Sequence, residues 1–368
     1  MSNDSILLQF INDKIAQAGD RDELDFEQVI DEAISQAEDL APDLVESVRG
    51  GIERRVAWRK GTAYAVRRAI RKDWEAAIRS FDRLLAASEE VHQRLVADMT
   101  ESLEKDIRPE LNPSQLPNSL AGRELKMLVL LSVHARVCKT ATEVAELARS
   151  GFGDGALARL RTVYEVAVVH FILALAPYGV CERYYNYGSI EYLEALKAQR
   201  RRVAARGWGR PSDDEVDEAE REAQEVTDFY GAEIRRPYEW ARPLFPNRSG
   251  RISFADLDKF ATNHGLRGMY LVGNHGIHAG AYGTLSNFDA SKPYLNSTRP
   301  SIDSGNFALL ISGAAKILSL VSFTTCRQIP AECKSLDSVL MYASVEEAEN
   351  DVYESIDADV QRKGQVGR

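Results

Sequence analysis

Cysteine is scarce and scattered: four in 368 residues, at positions 138, 181, 326 and 333, with no CxxC pair. That pattern excludes a compact disulfide framework and reads as buried or surface thiols in a reducing compartment. A basic excess is missing too. The net charge of -10 argues against a general nucleic-acid coat and leaves room only for a local basic patch. The opening MSNDSILLQFINDKIAQ lacks the basic, apolar, small-residue order of a secretory signal, so the expected location is cytoplasmic. No stretch alternates apolar and polar residues with period two, which removes the main strand signal. A GxSxG elbow is absent, and no cysteine has an obvious histidine partner, so the common nucleophile schemes find no support.

The longest apolar run, from Asn306 to Cys326, approaches membrane-spanning length but carries Lys316 and many Ser and Thr. It is expected to be a buried core helix, with no membrane partner. Most of the remaining sequence repeats apolar positions three and four apart, which predicts an all-α multi-helix bundle with an N-terminal helical extension. RPELNPSQLPNS, with three prolines, is the best boundary. The expected organisation is an N-terminal helical region over 1–115 with a corner at Gly50-Gly51, a bundle over 120–330, and a weakly packed acidic tail over 331–368.

Within the N-terminal region RRVAWRKGTAYAVRRAIRK, Arg54 to Lys72, concentrates positive charge beside Trp58 and Tyr64. Two readings stay open: a solvated face whose aliphatic stems cover apolar surface, or an anion or RNA contact with aromatics for stacking. The glycine-rich GFGDG at 151–155 follows a helical segment and is not followed by Gly-Lys-Ser or Gly-Lys-Thr. It is therefore expected to be a tight interhelical turn rather than a phosphate loop, with Asp154 near the next helix start.

The helix after that turn, ended by Pro177, is apolar almost all round, yet Arg161 and Glu165 sit one turn apart on one face, joined there by Asp154. If the helix is internal, these charges either form a structural network or line a cavity that meets a ligand. In LRGMYLVGNHGIHAGAYG, Tyr270, Asn274 and His278 also fall on one helix face, beside a glycine stripe of Gly273, Gly276, Gly280 and Gly283. The central expectation is that these two helices pair and bring Arg161, Glu165, Asn274 and His278 together. Arg183 and Tyr187 form a further pair one turn apart that could reach the same centre, with Glu191 a turn further on and expected at the surface. His275 and His278 make an HxxH pair, but no third ligand stands at a recognisable spacing. No metal and no cofactor are expected.

SGFGDGALARLRTVYEVAVV, then ERYYNY, then YLVGNHGIHAG together resemble the bacterial family named domain of unknown function 5677, over about Leu120 to Leu285. The resemblance implies that the family's polar residues fall on Arg161, Glu165, Arg183, Tyr187 and His278. Tyr164 stands where many relatives have histidine. More distantly the bundle is similar to the RNA-linked HEPN domains, but none of the six histidines has an arginine four to six residues before it, which disfavours their ribonuclease chemistry.

Three functions follow as expectations. The first is a sensor or effector, in a bacterial stress or antiviral setting, that binds an anionic ligand, nucleotide or RNA, through Arg161, Arg183, Tyr187, Tyr270 and Asn274. The second is a metal-independent ribonuclease with His278, Glu165 and Arg161 as catalytic residues. The third is a non-catalytic structural or interaction protein. A homodimer is also expected, because apolar and glycine-faced helices pair.

Overall fold

The computed structural model describes residues 42–106, 122–203, 209–261, 306–328 and 336–366, together with positions 13, 14, 16, 29, 31, 32, 267, 268 and 270. The fold is all-α, and no strand occurs among the described residues. Two compact units divide the chain, Met1–Val66 and Arg67–Arg368. In the first, Lys14 pairs with Glu32 at 2.5 Å and Val29 is buried. Helix α1 (Pro42–Asp73) runs through Gly50 and Gly51 without a corner. Two helical glycines cost roughly 1 kcal/mol each, which good helix formers on both sides outweigh.

The larger unit holds α2 (Glu75–Asp106), α3 (Gly122–Arg149), α4 (Gly153–Leu175), α5 (Tyr178–Val203), α6 (Asp213–Tyr230), two 3₁₀ turns (Ala232–Arg235 and Glu239–Leu244), α7 (Phe254–Phe260), α8 (Phe307–Gln328) and α9 (Leu336–Val366). Helix α8 packs against α2, α3, α4 and α9. Leu310, Ile311, Ala314, Ile317, Leu318 and Val321 are fully buried there, and each large one contributes about 1.5–3 kcal/mol of apolar transfer. Among the described residues α8 is the one helix long and apolar enough to cross a membrane, and much of it is buried inside the bundle. Its Lys316 is part-exposed and pairs with the buried Glu349 of α9 at 3.1 Å.

Two further expectations from the sequence change here. Helix α2, assigned to the N-terminal region by the proline-rich boundary, is part of the bundle and lies against α9, α8 and α3. The tail expected to pack weakly forms α9, because Val345, Ala348, Val352 and Ile356 recur at helical spacing and bury against α2. Acidic composition concealed that stripe. Buried Asp359 of α9 accepts the backbone N–H of Ala77 at 3.1 Å in the first turn of α2 and also pairs with Arg362. It serves as a cap supplied from another helix. Asp359→Ala is expected to lower unfolding stability by about 1–2 kcal/mol, the usual cost of a lost cap, readable in a urea titration; an unchanged midpoint would remove that role.

The turn between α3 and α4 follows from its glycine. Gly151 has φ 79°, its N–H donates to Ala148 O at 3.1 Å, and the N–H of Phe152 donates to Leu147 O at 2.9 Å. This is a Schellman closure, which needs a left-handed residue after the helix. Asp154 then stands in the first turn of α4, on the exposed side. Helix α4 ends where Ala176 turns extended ahead of Pro177. The buried Lys126 ammonium donates to Ala174 O at 2.7 Å and Ala176 O at 2.9 Å, covering carbonyls that the helix end leaves open.

Candidate functional site

Helix α4 buries Leu160, Val163, Tyr164, Ala167, Val168 and Phe171, but Arg161, Glu165, Val166 and Val169 lie along a strip that is only half buried. An apolar sequence around the whole cylinder therefore does not make the helix internal. Arg161 Nη2 meets Glu165 Oε1 at 2.9 Å, with side-chain exposures of 22% and 34%. The pair is reachable by water, and it is an open rim rather than a sealed network.

Above it the guanidinium lies 5.2 Å from the centre of the Tyr270 ring. Tyr270 is in turn 5.4 Å from Tyr164 and 5.4 Å from Phe254. Arg161 Nε is buried and has no hydrogen-bond partner among the described residues. The result is a cation set against an aromatic face, with one carboxylate neighbour and donor capacity left over.

Tyr164 donates its hydroxyl to Asp258 Oδ1 on α7. Both side chains are buried, and Arg267 Nε stands 3.5 Å from Asp258 Oδ2. Burial and then the hydrogen bond to Asp258 push the phenol well above its ordinary value, so Tyr164 stays protonated at neutral pH. It cannot serve as a base there; it anchors α7 to α4.

The loop between α6 and α7 supplies the next wall. Tyr238 adopts φ 62°, a left-handed conformation uncommon for a bulky residue, which costs of order 1–3 kcal/mol. Burial raises its hydroxyl, Glu165, Tyr270 and Glu191 raise it further, and Arg161 opposes them, so the ring sits within the field of the charged pair. Two arginines hold the strained turn. Arg183 Nε donates to Trp240 O at 3.2 Å and its Nη2 to Glu239 O at 3.1 Å, while its guanidinium packs 4.7 Å from the Tyr230 ring. Arg242 clasps the buried Glu239 carboxylate through Nε and through Nη2, the latter at 2.8 Å, and reaches Arg248 O at 3.1 Å and Gly250 O at 2.7 Å.

Of the residues singled out by sequence, Arg161, Glu165 and Tyr270 therefore come together. Tyr187 is buried on α5, its hydroxyl pushed up to about 12 by burial, then by Glu191 and Tyr238. Arg183 holds the loop backbone in place and is not free to meet a ligand with those donors. Glu191 is exposed, as expected. Asn274, His275 and His278 lie outside the described residues, so their expected meeting with Arg161 does too. Among the described residues no three His, Cys, Asp or Glu side chains group to hold a metal ion.

Sequence reasoning missed Asp258, Tyr238, Glu239 and Arg242. A separate cavity of about 430 Å³ is lined by Glu89, His92, Cys138, Lys139 and Glu143 of α2 and α3. None of the predicted residues faces it.

Bundle and cluster together define an all-helical protein whose polar and aromatic site is built from one core helix and an arginine-clasped loop. Residues 127–293 match the model of a family of unknown function (DUF5677). The match takes in α4 to α7, and hence the whole described cluster, and leaves α1, α2, α8 and α9 outside. No curated protein and no solved structure matches the chain.

Proposed function

We propose that this protein binds a small anionic ligand bearing an aromatic ring, of which a nucleotide is the fitting class, at the rim formed by Arg161, Glu165, Tyr238 and Tyr270. The observation that carries the reading is Arg161: a part-buried guanidinium over a tyrosine face, with a donor lacking a partner among the described residues. A phosphate would meet the exposed part of the guanidinium, and a base would slide against the tyrosines. Glu165 orients the guanidinium without consuming it. The hydrolytic alternative rests on His278, and the protonated Tyr164 gives it no substitute base.

Calorimetric titration of adenine and guanine nucleotides into the full chain tests the reading. Arg161→Ala is expected to weaken binding at least ten-fold, and Tyr270→Ala several-fold, with little change in melting temperature. The small stability effect follows because a part-exposed ion pair contributes no more than about 1 kcal/mol. A structural role for the pair would reverse this: Arg161→Ala would then melt several degrees lower. No nucleotide binding by the wild type, or equal binding by Arg161→Ala, would refute the proposal.

A further inference from the structure

Helix α1 carries eight Arg and Lys residues and no Asp or Glu between Arg54 and Lys72, in a chain whose net charge is -10. All eight are exposed, and none pairs with a carboxylate of the described residues. Arg55 and Arg59, Arg67 and Arg71, and Arg68 and Lys72 each stand one turn apart, an arrangement that repels and weakens an isolated helix. A helix face that needs only solubility is served better by mixed signs. Six of the eight are arginine, whose planar fork suits phosphate oxygens better than the ammonium of lysine does. Trp58 and Tyr64 stand among them at 46% and 69% exposure, and the Arg55 guanidinium lies 3.9 Å from the Trp58 ring centre.

From this we infer that α1 is a binding surface for a single-stranded polynucleotide. Phosphates would pair with the arginines, and unpaired bases would stack on Trp58 and Tyr64; a duplex hides those base faces. An anionic membrane fits less well, because a helix lying in a bilayer interface needs a continuous apolar face. Here the apolar side, Ile52, Val56, Ala63, Val66 and Ile70, is interrupted by Arg59, and Ile70 is wholly buried in the protein. The basic run lies outside the matched family segment.

The test is fluorescence anisotropy with the full chain and a labelled 20-nucleotide single strand, as RNA and as DNA, between 50 and 300 mM salt. Binding is expected to fall with salt, with a log–log slope of about -3 to -5 if five to seven phosphates are neutralised. The triple variant Arg54→Ala, Arg55→Ala, Arg59→Ala is expected to bind at least ten-fold more weakly, and Trp58→Ala about five-fold or more. These positions are exposed and alanine favours helix, so circular dichroism should be unchanged. Arg161→Ala should bind the strand normally, which separates this surface from the nucleotide rim. Absence of binding at 50 mM salt, equal binding by the triple variant, equal affinity for a duplex of the same length, or binding to phosphatidylserine vesicles without binding to the strand would each overturn the inference.

Discussion

Lowering the pH from 7.5 to 5 is expected to destabilise the folded chain by about 4 kcal/mol, through two histidines that the fold keeps neutral. His134 on α3 and His170 on α4 are both fully buried. His134 Nε2 lies 3.0 Å from Ser322 Oγ, and His170 Nε2 lies 2.8 Å from Thr325 Oγ1. Both hydroxyls spend their protons on helix carbonyls, Ser322 on Leu318 O and Thr325 on Val321 O. Each hydroxyl oxygen must therefore accept, so each imidazole carries its proton on Nε2. Both Nδ1 atoms are buried with no partner, and protonating either would create a cation with no acceptor.

Burial accordingly lowers His170 to about 3 and takes His134 well below its ordinary value, the latter with help from His170 and His92. The unfolded chain takes up these protons below pH 6.5 while the folded chain does not. Stability therefore falls as pH drops below 6.5, at about 1.4 kcal/mol per pH unit for each histidine that stays neutral, which for His170 continues to about 3. His170→Gln, which keeps a donor for Thr325, should lose about half of that pH dependence in urea titrations at pH 7.5, 6 and 5. A wild type equally stable at pH 7.5 and 5 would contradict the assignment.

Arg242→Ala is expected to cost about 3 kcal/mol, the low end for breaking a buried ion pair because Arg242 itself is about a quarter exposed. Glu239 is nearly sealed and would be left as an uncompensated carboxylate. The same substitution removes the bonds to Arg248 O and Gly250 O that close the loop. Tyr238, held in a left-handed conformation, would then relax, and ligand affinity at the rim should fall alongside stability. Arg161→Ala should show the opposite balance, losing affinity with little loss of stability. Chemical denaturation and calorimetry on the two variants separate these outcomes; similar melting behaviour would show that the clasp does not support the loop.

How far the site could be read from sequence depended on how far apart its members lie. The Arg161 and Glu165 pair was legible because helical periodicity fixes it. The Gly151 turn was legible because only a left-handed residue closes a helix that way. Tyr164 and Asp258 are 94 residues apart, and no periodicity connects them. Glu239 and Arg242 are close in sequence, but their loop has no repeating pattern to say which side chains turn inward. His134 and His170 were noted only for lacking an arginine ahead of them, since burial is a property of their neighbours.

By itself the sequence determined that the chain is helical, where α3 turns into α4, which run becomes the core helix, and that α1 is strongly basic. Local spacing and backbone chemistry act over a turn or two, and these features need nothing more. Tertiary structure alone decided that α2 and α9 belong to the bundle, that α4 keeps a wet strip, and that a strained tyrosine loop meets it. Those outcomes depend on which surfaces exclude water from one another, and that is settled between segments distant in the chain.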